Sequence, residues 1–154
     1  MASAGIKIIA DNRRARHEYE LSDFVEAGVQ LQGTEVKSLR NGKANLGDSY
    51  CHINREMEVY LVECHISPYA SGNRFNHKPL RERKLLLHKK EILRLWHKVR
   101  EKGLTIVPTK MYFKNGRVKL EIALGKGKKL HDKRETLKAQ EFKREADRVM
   151  KDYR

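Results

Sequence analysis

The sequence predicts a mainly β domain with flanking helices, its strands closing into a small barrel. Three stretches carry that expectation. Val118, Leu120, Ile122 and Leu124 alternate with other residues, the period-two pattern of a pleated strand with one face on a core. Asn115-Gly116 lies just before them and joins them to a second strand over Leu104 to Phe113, because a type I′ hairpin needs positive φ at both central residues. The third stretch, residues 24 to 53, passes from strand to short helix at Gly33, and the N-terminal half is organised around that change of period.

Residues 1 to 10, with Ile6, Ile8 and Ile9, are short and thinly patterned, an arm expected to add to a sheet edge. Val25, Val29 and Leu31 share one parity and so face one side of a sheet. Beyond Gly33 the apolar Val36 and Leu39 fall three apart. With Thr34 as N-cap and Asn41-Gly42 as the stop, this predicts a helix of about two turns. Residues 49 to 54 and 58 to 66 read as a hairpin around Asn54-Arg55-Glu56-Met57, and its second arm, apolar on both parities, belongs inside the sheet. Ser67 to Pro79 is a long irregular loop by composition, of the kind that is usually functional or mobile. Helical spacing is clearest from His88 to Arg100, where Ile92, Leu95, Trp96 and Val99 form one stripe ended by Gly103; Trp96 reads as a core anchor rather than a base-stacking platform. Leu85-Leu86-Leu87 fit either the start of that helix or an extended run. Pro108, inside a strand, implies an edge or a bulge. Five or so strands, a helix between the third and fourth and a short one after the first make the pattern of a Greek-key barrel of the oligonucleotide-binding (OB) type, closed or partly open. From Thr136 onward Ala139, Phe142, Ala146, Val149 and Tyr153 keep helical spacing, but the stripe is thin and interleaved with charge. That tail is expected to be disordered or marginally helical when free and to fold on a partner.

Charge narrows the function. At 154 residues the chain is one domain, and 34 Lys and Arg against 20 Asp and Glu give +14, with a pI near 9.9. A polyanionic partner explains such an excess most simply, because fixed cations release counterions from phosphates. No apolar run approaches the roughly 20 residues that span a bilayer, no secretory signal is visible at the N-terminus, and a cytosolic location is expected. Cys51 and Cys64 read as small core residues rather than a disulfide framework. Seven histidines show no pairing with cysteine at metal spacing. Gly125-Lys126-Gly127-Lys128-Lys129 lacks the upstream glycine and the following hydroxyl of a phosphate-binding P-loop. Glu26, Glu35, Asp48 and Asp132 are dispersed, and no nucleophile signature appears. Binding, rather than catalysis, is the expectation, with no catalytic residue, metal or cofactor. The cationic positions gather as Arg13, Arg14 and Arg16, followed by His17 and Tyr19 as candidate stacking partners for bases; as Lys37 and Arg40 on one helix face with Lys43 just past it; as Arg81, Arg83 and Lys84; and as the run from Lys126.

Several local sequences sharpen this reading. Asn12-Arg13-Arg14-Ala15-Arg16-His17-Glu18-Tyr19, Phe24-Val25-Glu26-Ala27-Gly28, Gly33-Thr34-Glu35-Val36-Lys37-Ser38-Leu39-Arg40, Asp48-Ser49-Tyr50, Arg83-Lys84-Leu85-Leu86-Leu87, Gly125-Lys126-Gly127-Lys128-Lys129 and His131-Asp132-Lys133-Arg134 resemble, in order, the hallmarks of the SsrA-binding protein (small protein B) family. The resemblance covers essentially the whole chain. It implies a bacterial cytoplasmic protein whose OB-fold core binds transfer-messenger RNA. Such a protein delivers the RNA's alanine-charged, tRNA-like end to ribosomes stalled on broken messages, which is trans-translation, and stands in for the missing anticodon stem. It implies a core over residues 1 to 131 and a basic tail over 132 to 154 that enters the empty messenger channel and becomes helical there. Alanyl-tRNA synthetase and elongation factor Tu would act on the same RNA; no membrane is involved.

On that resemblance Asn12, Glu26, Leu86 and the basic residues near Lys37 and Arg40 correspond to the surface that holds the tRNA-like elbow. Arg13, Arg14, Arg16, His17, Tyr19, Lys43, Arg83 and Lys84 join them as RNA-binding candidates. Lys126, Lys128, Lys129, His131, Asp132, Lys133 and Arg134 are the expected ribosome contacts, with Lys128, Lys129 and His131 near the decoding centre. Two alternatives stay open on sequence grounds. Glu26 could accept from base amino groups or pair with a nearby arginine, and Leu86 could be a core residue. Asn12→Ala and Glu26→Ala are expected to weaken RNA binding with the fold intact. The competing class is a ribosome-binding OB protein with no dedicated small RNA, such as a ribosomal protein or an initiation-factor-like module.

Overall fold

The computed structural model describes residues 5 to 70 and 75 to 127. In chain order the elements are β1 (Ile6–Asp11), α1 (Arg13–Glu18), β2 (Glu20–Val29), α2 (Gly33–Arg40), β3 (Ala44–Asn45), β4 (Tyr50–Ile53), β5 (Val59–Val62), β6 (His65–Ile66), β7 (Arg83–Leu86), α3 (Lys89–Lys102), β8 (Thr105–Lys114) and β9 (Arg117–Lys126). Six strands close a ring in the order β8-β4-β5-β7-β2-β9, with β9 returning to β8, every pairing antiparallel. The strand β1 is added outside the ring, on β8. This is the closed barrel that the alternation of the sequence predicts, and closure leaves few unpaired strand edges.

The interior is filled by the inward parity of each strand: Leu61, Leu85, Met111, Leu120, Ile122 and Leu124 are all fully buried. Val25, Val29 and Leu31 pack against the same core, as their shared parity requires. Each buried aliphatic side chain of this size removes enough apolar surface from water to favour folding by about 1.5–3 kcal/mol. Asn115 and Gly116 have φ of 51° and 78°, so the β8–β9 hairpin turns through the left-handed region at both central positions. Pro108 sits at a register shift between β8 and β9, and the bend lets β8 pair with β4 at Ile106 and with β1 beyond Lys110.

Four details differ from the sequence reading. Gln32, not Thr34, flanks the start of α2: its N–H donates to Glu35 Oε1 at 2.8 Å, while Thr34 lies inside the helix with its hydroxyl 2.9 Å from His77 Nδ1. At the other end Asn41 keeps φ −94° and only Gly42 is left-handed. Leu85 and Leu86 are extended, in β7, and the helix begins after His88. Trp96 is not the core anchor of α3. Leu95 is, fully buried against the barrel end, with Ile92 and Val99 packed beside it, because a helix of this width turns only part of an i, i+3, i+4 stripe fully inward. The hairpin of β4 and β5 is as expected, but its second arm stops at Val62. Glu63 takes φ 59°, and the chain crosses over to pair His65–Ile66 with Ala44–Asn45 in a separate small sheet.

Candidate nucleic-acid interface

Two of the expected residues meet on the outer face of β7, β2, β9 and β8. Glu26 points outward from β2, because Val25 and Ala27 take the inward parity. Leu86 closes β7 with 48% of its surface exposed, so core packing does not explain it. It lies opposite Gly28, which in turn lies opposite Lys119, and these three make one row across the sheet. A Cβ on Gly28 would stand 3.3 Å from Leu86 Cβ, so glycine lets the leucine lie flat across β2. Leu86 is therefore a ridge between two shallow depressions of about 330 and 320 Å³. One is shared with Glu26, His88 and Lys119, the other with Leu31, Val36 and Arg117. Phe24, 54% exposed, adds a further apolar side chain on β2.

Glu26 does not pair with an arginine. The Tyr112 hydroxyl donates to Glu26 Oε2, and Lys114 Nζ stands 3.3 Å from the same oxygen. The Tyr112 bond, then Lys114 and the more distant Lys119, hold the carboxyl below its ordinary value against the opposing effect of burial. Burial first, and the carboxylate second, push the Tyr112 phenol up, so it stays a donor. The result is a fixed, ionised acceptor on a strongly basic protein, with Oε1 only weakly engaged, 3.5 Å from Lys114. Such an acceptor suits exposed base amino groups.

The basic candidates fall at the two ends of β2. At its start α1 carries Arg13, Arg14, Arg16 and His17, all exposed. Arg14 bridges Glu18 at 3.0 Å and Asp48 at 2.8 Å, and Arg16 reaches Asp11 at 2.9 Å. Tyr19 packs its ring against Gly125, where a Cβ would stand only 2.8 Å from the ring. At the far end α2 exposes Lys37 and Arg40, with Lys43 beyond; Lys37 Nζ lies 5.6 Å from the centre of the Tyr69 ring. Ten residues of strand, about 30 Å at 3.3 Å each, separate the two groups. The α1 arginines neighbour the start of the C-terminal segment, since Glu20 pairs with Lys126.

Two candidates are structural. Arg83 has no exposed surface. It donates Nε to Glu35 Oε2, Nη1 to Cys64 O at 2.7 Å and Nη2 to Pro79 O at 3.2 Å, so its charge is consumed inside the barrel wall. Asn12, 3% exposed, is the N-cap of α1: Ala15 N–H donates to its Oδ1 at 3.1 Å, and its Nδ2 donates to Pro108 O at 2.8 Å and Leu46 O at 3.2 Å. It clamps the β8 bulge to α1, so its removal should cost stability. Lys84 is half-buried and bonded to Glu58 at 2.7 Å. Lys126 ends β9 and is exposed; Lys128, Lys129, His131, Asp132, Lys133 and Arg134 lie outside the described residues, as does the expected boundary at 131.

Tyr112, Lys114, Lys119 and Gly28 were not among the candidates read from sequence. The outward parity of β8 and β9 carries the signal, because Lys110, Tyr112 and Lys114 alternate with the inward Met111 and Phe113. Among the described residues no group of three His, Cys, Asp or Glu side chains could hold a metal ion. Burial pushes the Cys51 thiol up, and that of Cys64 to about 11, so both stay protonated and inert. No helix among the described residues is long and apolar enough to cross a membrane.

A family model described as SmpB protein matches residues 9–152. The SsrA-binding protein of Trichormus variabilis is 58% identical over 152 residues, covering 98% of this chain and 97% of its own. That of Pelotomaculum thermopropionicum is 54% identical over 147 residues, 96% and 95% of the two chains. Among solved structures, a chain from the work described as "tmRNA-SmpB: a journey to the center of the bacterial ribosome" is 48% identical with a TM-score of 0.66, over 81% of this chain and 85% of that one.

Proposed function

From a chain that belongs to the SmpB protein family, we propose the following account of how the barrel performs the family's work. The protein binds SsrA RNA, the transfer-messenger RNA, and acts with it on the ribosome in trans-translation. The RNA's tRNA-like part rests on the outer face of β7, β2, β9 and β8. Leu86 is wedged against a base or sugar, Glu26 accepts from base donors, and Lys114 and Lys119 lie within reach of phosphates. The α2 group of Lys37, Arg40 and Lys43 extends this contact along the RNA backbone.

The observation that carries the reading is the Tyr112–Glu26–Lys114 cluster beside an exposed leucine. A carboxylate kept ionised on the rim of a +14 chain repels phosphate, so its use is in reading donors rather than in general affinity. The α1 arginines, Lys126 and residues 128 to 154 form the second pole. The basic tail enters the messenger channel and takes the place of the anticodon arm that the RNA lacks. Alanyl-tRNA synthetase and elongation factor Tu act on the same RNA, and the work is done in the cytoplasm.

The test is a salt titration of binding to the isolated tRNA-like RNA. Leu86→Asp and Glu26→Gln should weaken binding by about tenfold or more, near the 1–3 kcal/mol of a lost base contact, with the salt slope unchanged. Lys119→Ala should instead lower that slope by about one charge. Affinity unchanged in both Leu86→Asp and Glu26→Gln would remove this face from the interface.

A further inference from the structure

The groove between α3 and the corner of β4 and β8 lies off the Glu26 face and adjoins the second pole, since Thr105 lines both it and the depression beside α1. It is an open depression of about 310 Å³, walled by Trp96, Val99 and Arg100 on one side and by His52, Ile53 and Ile106 on the other. We propose that this groove receives one unpaired base of ribosomal RNA, stacked on Trp96 and held by Arg100, when the RNA-loaded protein sits on the ribosome. The inference rests on the functional reading above.

Four observations point the same way. The chain's single tryptophan is half-buried and lines the groove, while its neighbour Leu95 fills the core. The Arg100 guanidinium lies 4.6 Å from the centre of the indole, and the His97 ring meets the indole edge-on at 5.2 Å, so the platform is fixed in place. An arginine stacked on an aromatic ring at an open apolar slot is the arrangement on which nucleobases stack. No carboxylate lines this groove. By contrast, the depression beside α1 contains Glu18 and Asp48, both already bonded to Arg14.

Charge and position select the source of that base. The α3 sequence carries six Lys and Arg against two Glu, which suits a polyanion and disfavours an acid-poor peptide. Asp23 holds Arg94 and Lys98 on the side toward β2, whereas no carboxylate among the described residues pairs with Arg100. Around the six-stranded ring β4 stands three places from β2, the diametrically opposite position. Through Thr105, which also lines the depression beside α1 and pairs with Gly125, the groove adjoins the α1 and Lys126 pole assigned to the ribosome. A base that reaches the groove from that pole belongs to ribosomal RNA.

The experiment uses the full chain loaded with transfer-messenger RNA and purified ribosomes stalled on a truncated message. It compares wild type with Trp96→Leu, Trp96→Tyr and Arg100→Ala. Ribosome association and base-modification footprints of ribosomal RNA are read, with binding to the tRNA-like RNA alone as the separate arm. Trp96→Leu and Arg100→Ala should keep wild-type affinity for the tRNA-like RNA. They should bind the ribosome about 5- to 100-fold more weakly, the span of one lost base stack, and should lose protection at one ribosomal base. Trp96→Tyr, which retains an aromatic face, should restore both. Wild-type ribosome association in Arg100→Ala overturns the proposal, and this exposed variant decides even if Trp96→Leu fails to fold. So does a parallel loss of affinity for the tRNA-like RNA, a folded Trp96→Tyr that restores nothing, or crosslinks from the groove to ribosomal protein alone. A wild-type chain that binds no tRNA-like RNA overturns the functional reading, and this inference with it.

Discussion

Replacing Arg83 by methionine separates a residue that holds the barrel from one that touches RNA. The parent arginine is fully buried and donates to Glu35, to Cys64 O and to Pro79 O. Methionine fills a similar volume but leaves Glu35 inside the wall with Arg81 Nη2 at 2.6 Å and the Gln32 N–H at 2.8 Å as its remaining partners. Removing one member of a buried ion pair costs about 3–5 kcal/mol, and the surviving Arg81 contact places the expectation near the lower end, about 3 kcal/mol. For a domain of this length that lowers the thermal midpoint by roughly 6–12 °C. The loss should depend on pH with a definite sign. In the parent, burial would raise the Glu35 carboxyl, but Arg81, Gln32 and Arg83 outweigh it and hold it below 4.5. The parent's contribution is thus present above the unfolded value and lost as pH falls through the folded one. Without Arg83 the burial effect gains, so the deficit of the variant should shrink as the pH approaches 4 and Glu35 protonates. Urea denaturation at pH 7 and pH 4, with RNA affinity measured on the folded protein, decides it. A loss below about 1 kcal/mol, or full stability with lost RNA binding, would refute the structural role.

Three further outcomes are expected. Asn12→Ala should destabilise by about 2 kcal/mol, a lost N-cap plus the lost bond to Pro108 O, while Leu46 O keeps the Ser49 hydroxyl and N–H as donors, and thermal unfolding reads it. Lost RNA affinity at unchanged stability would instead make Asn12 a contact. Tyr112→Phe should raise the Glu26 carboxyl back toward 4.5, visible as a shift in its NMR titration. RNA binding should then be lost at a higher pH than in the parent as the solution is acidified. Gly28→Val should weaken RNA binding as much as Leu86→Ala does, because the new Cβ forces the Leu86 ridge outward from a 3.3 Å contact; equal affinity to wild type in a filter-binding assay would show that the ridge is not used.

How much of this was legible depended on range. The β8–β9 hairpin was readable because Asn115-Gly116 is a local steric demand and the alternation that follows is a local pattern. The closed ring is less local: about five strands were expected and six close it, the additional one being β7, where Leu85-Leu86-Leu87 fitted helix or strand alike. The site was legible only where the resemblance reached. Glu26 and Leu86 share one outer face, but Arg83 and Asn12 are buried, and no local signal distinguishes a buried arginine from an exposed one. What buries Arg83 is Glu35, 48 positions earlier in the chain. Likewise Asn12 meets Pro108 across 96 positions, and the bulge that needs its amide exists only once β1, β8 and α1 have met. The Glu26 partners were missed for the same reason: an arginine was one of two alternatives left open, but Tyr112 and Lys114 lie on a strand far along the chain.

The excess of positive charge also looks different once partners are assigned. The net of +14 is a property of the whole chain, but in the described barrel many cations already have an acid: Arg14, Arg16, Arg81, Arg83, Lys84, Arg94, Lys98 and Lys114. Exposed pairs of this sort contribute little net stability and exchange readily for phosphate. Their effect is to fix where guanidinium groups sit before RNA arrives. Arg14, held between Glu18 and Asp48, and Arg16, held by Asp11, are set beside Tyr19 and Lys126 where the C-terminal segment leaves the barrel. Lys37, Arg40 and Lys43 are set at the other end of β2, about 30 Å away. One ten-residue strand therefore spaces two cationic groups while displaying Glu26 between them. A protein that must hold one folded RNA and address a second requires that separation, because two polyanions drawn to one patch would repel each other across it.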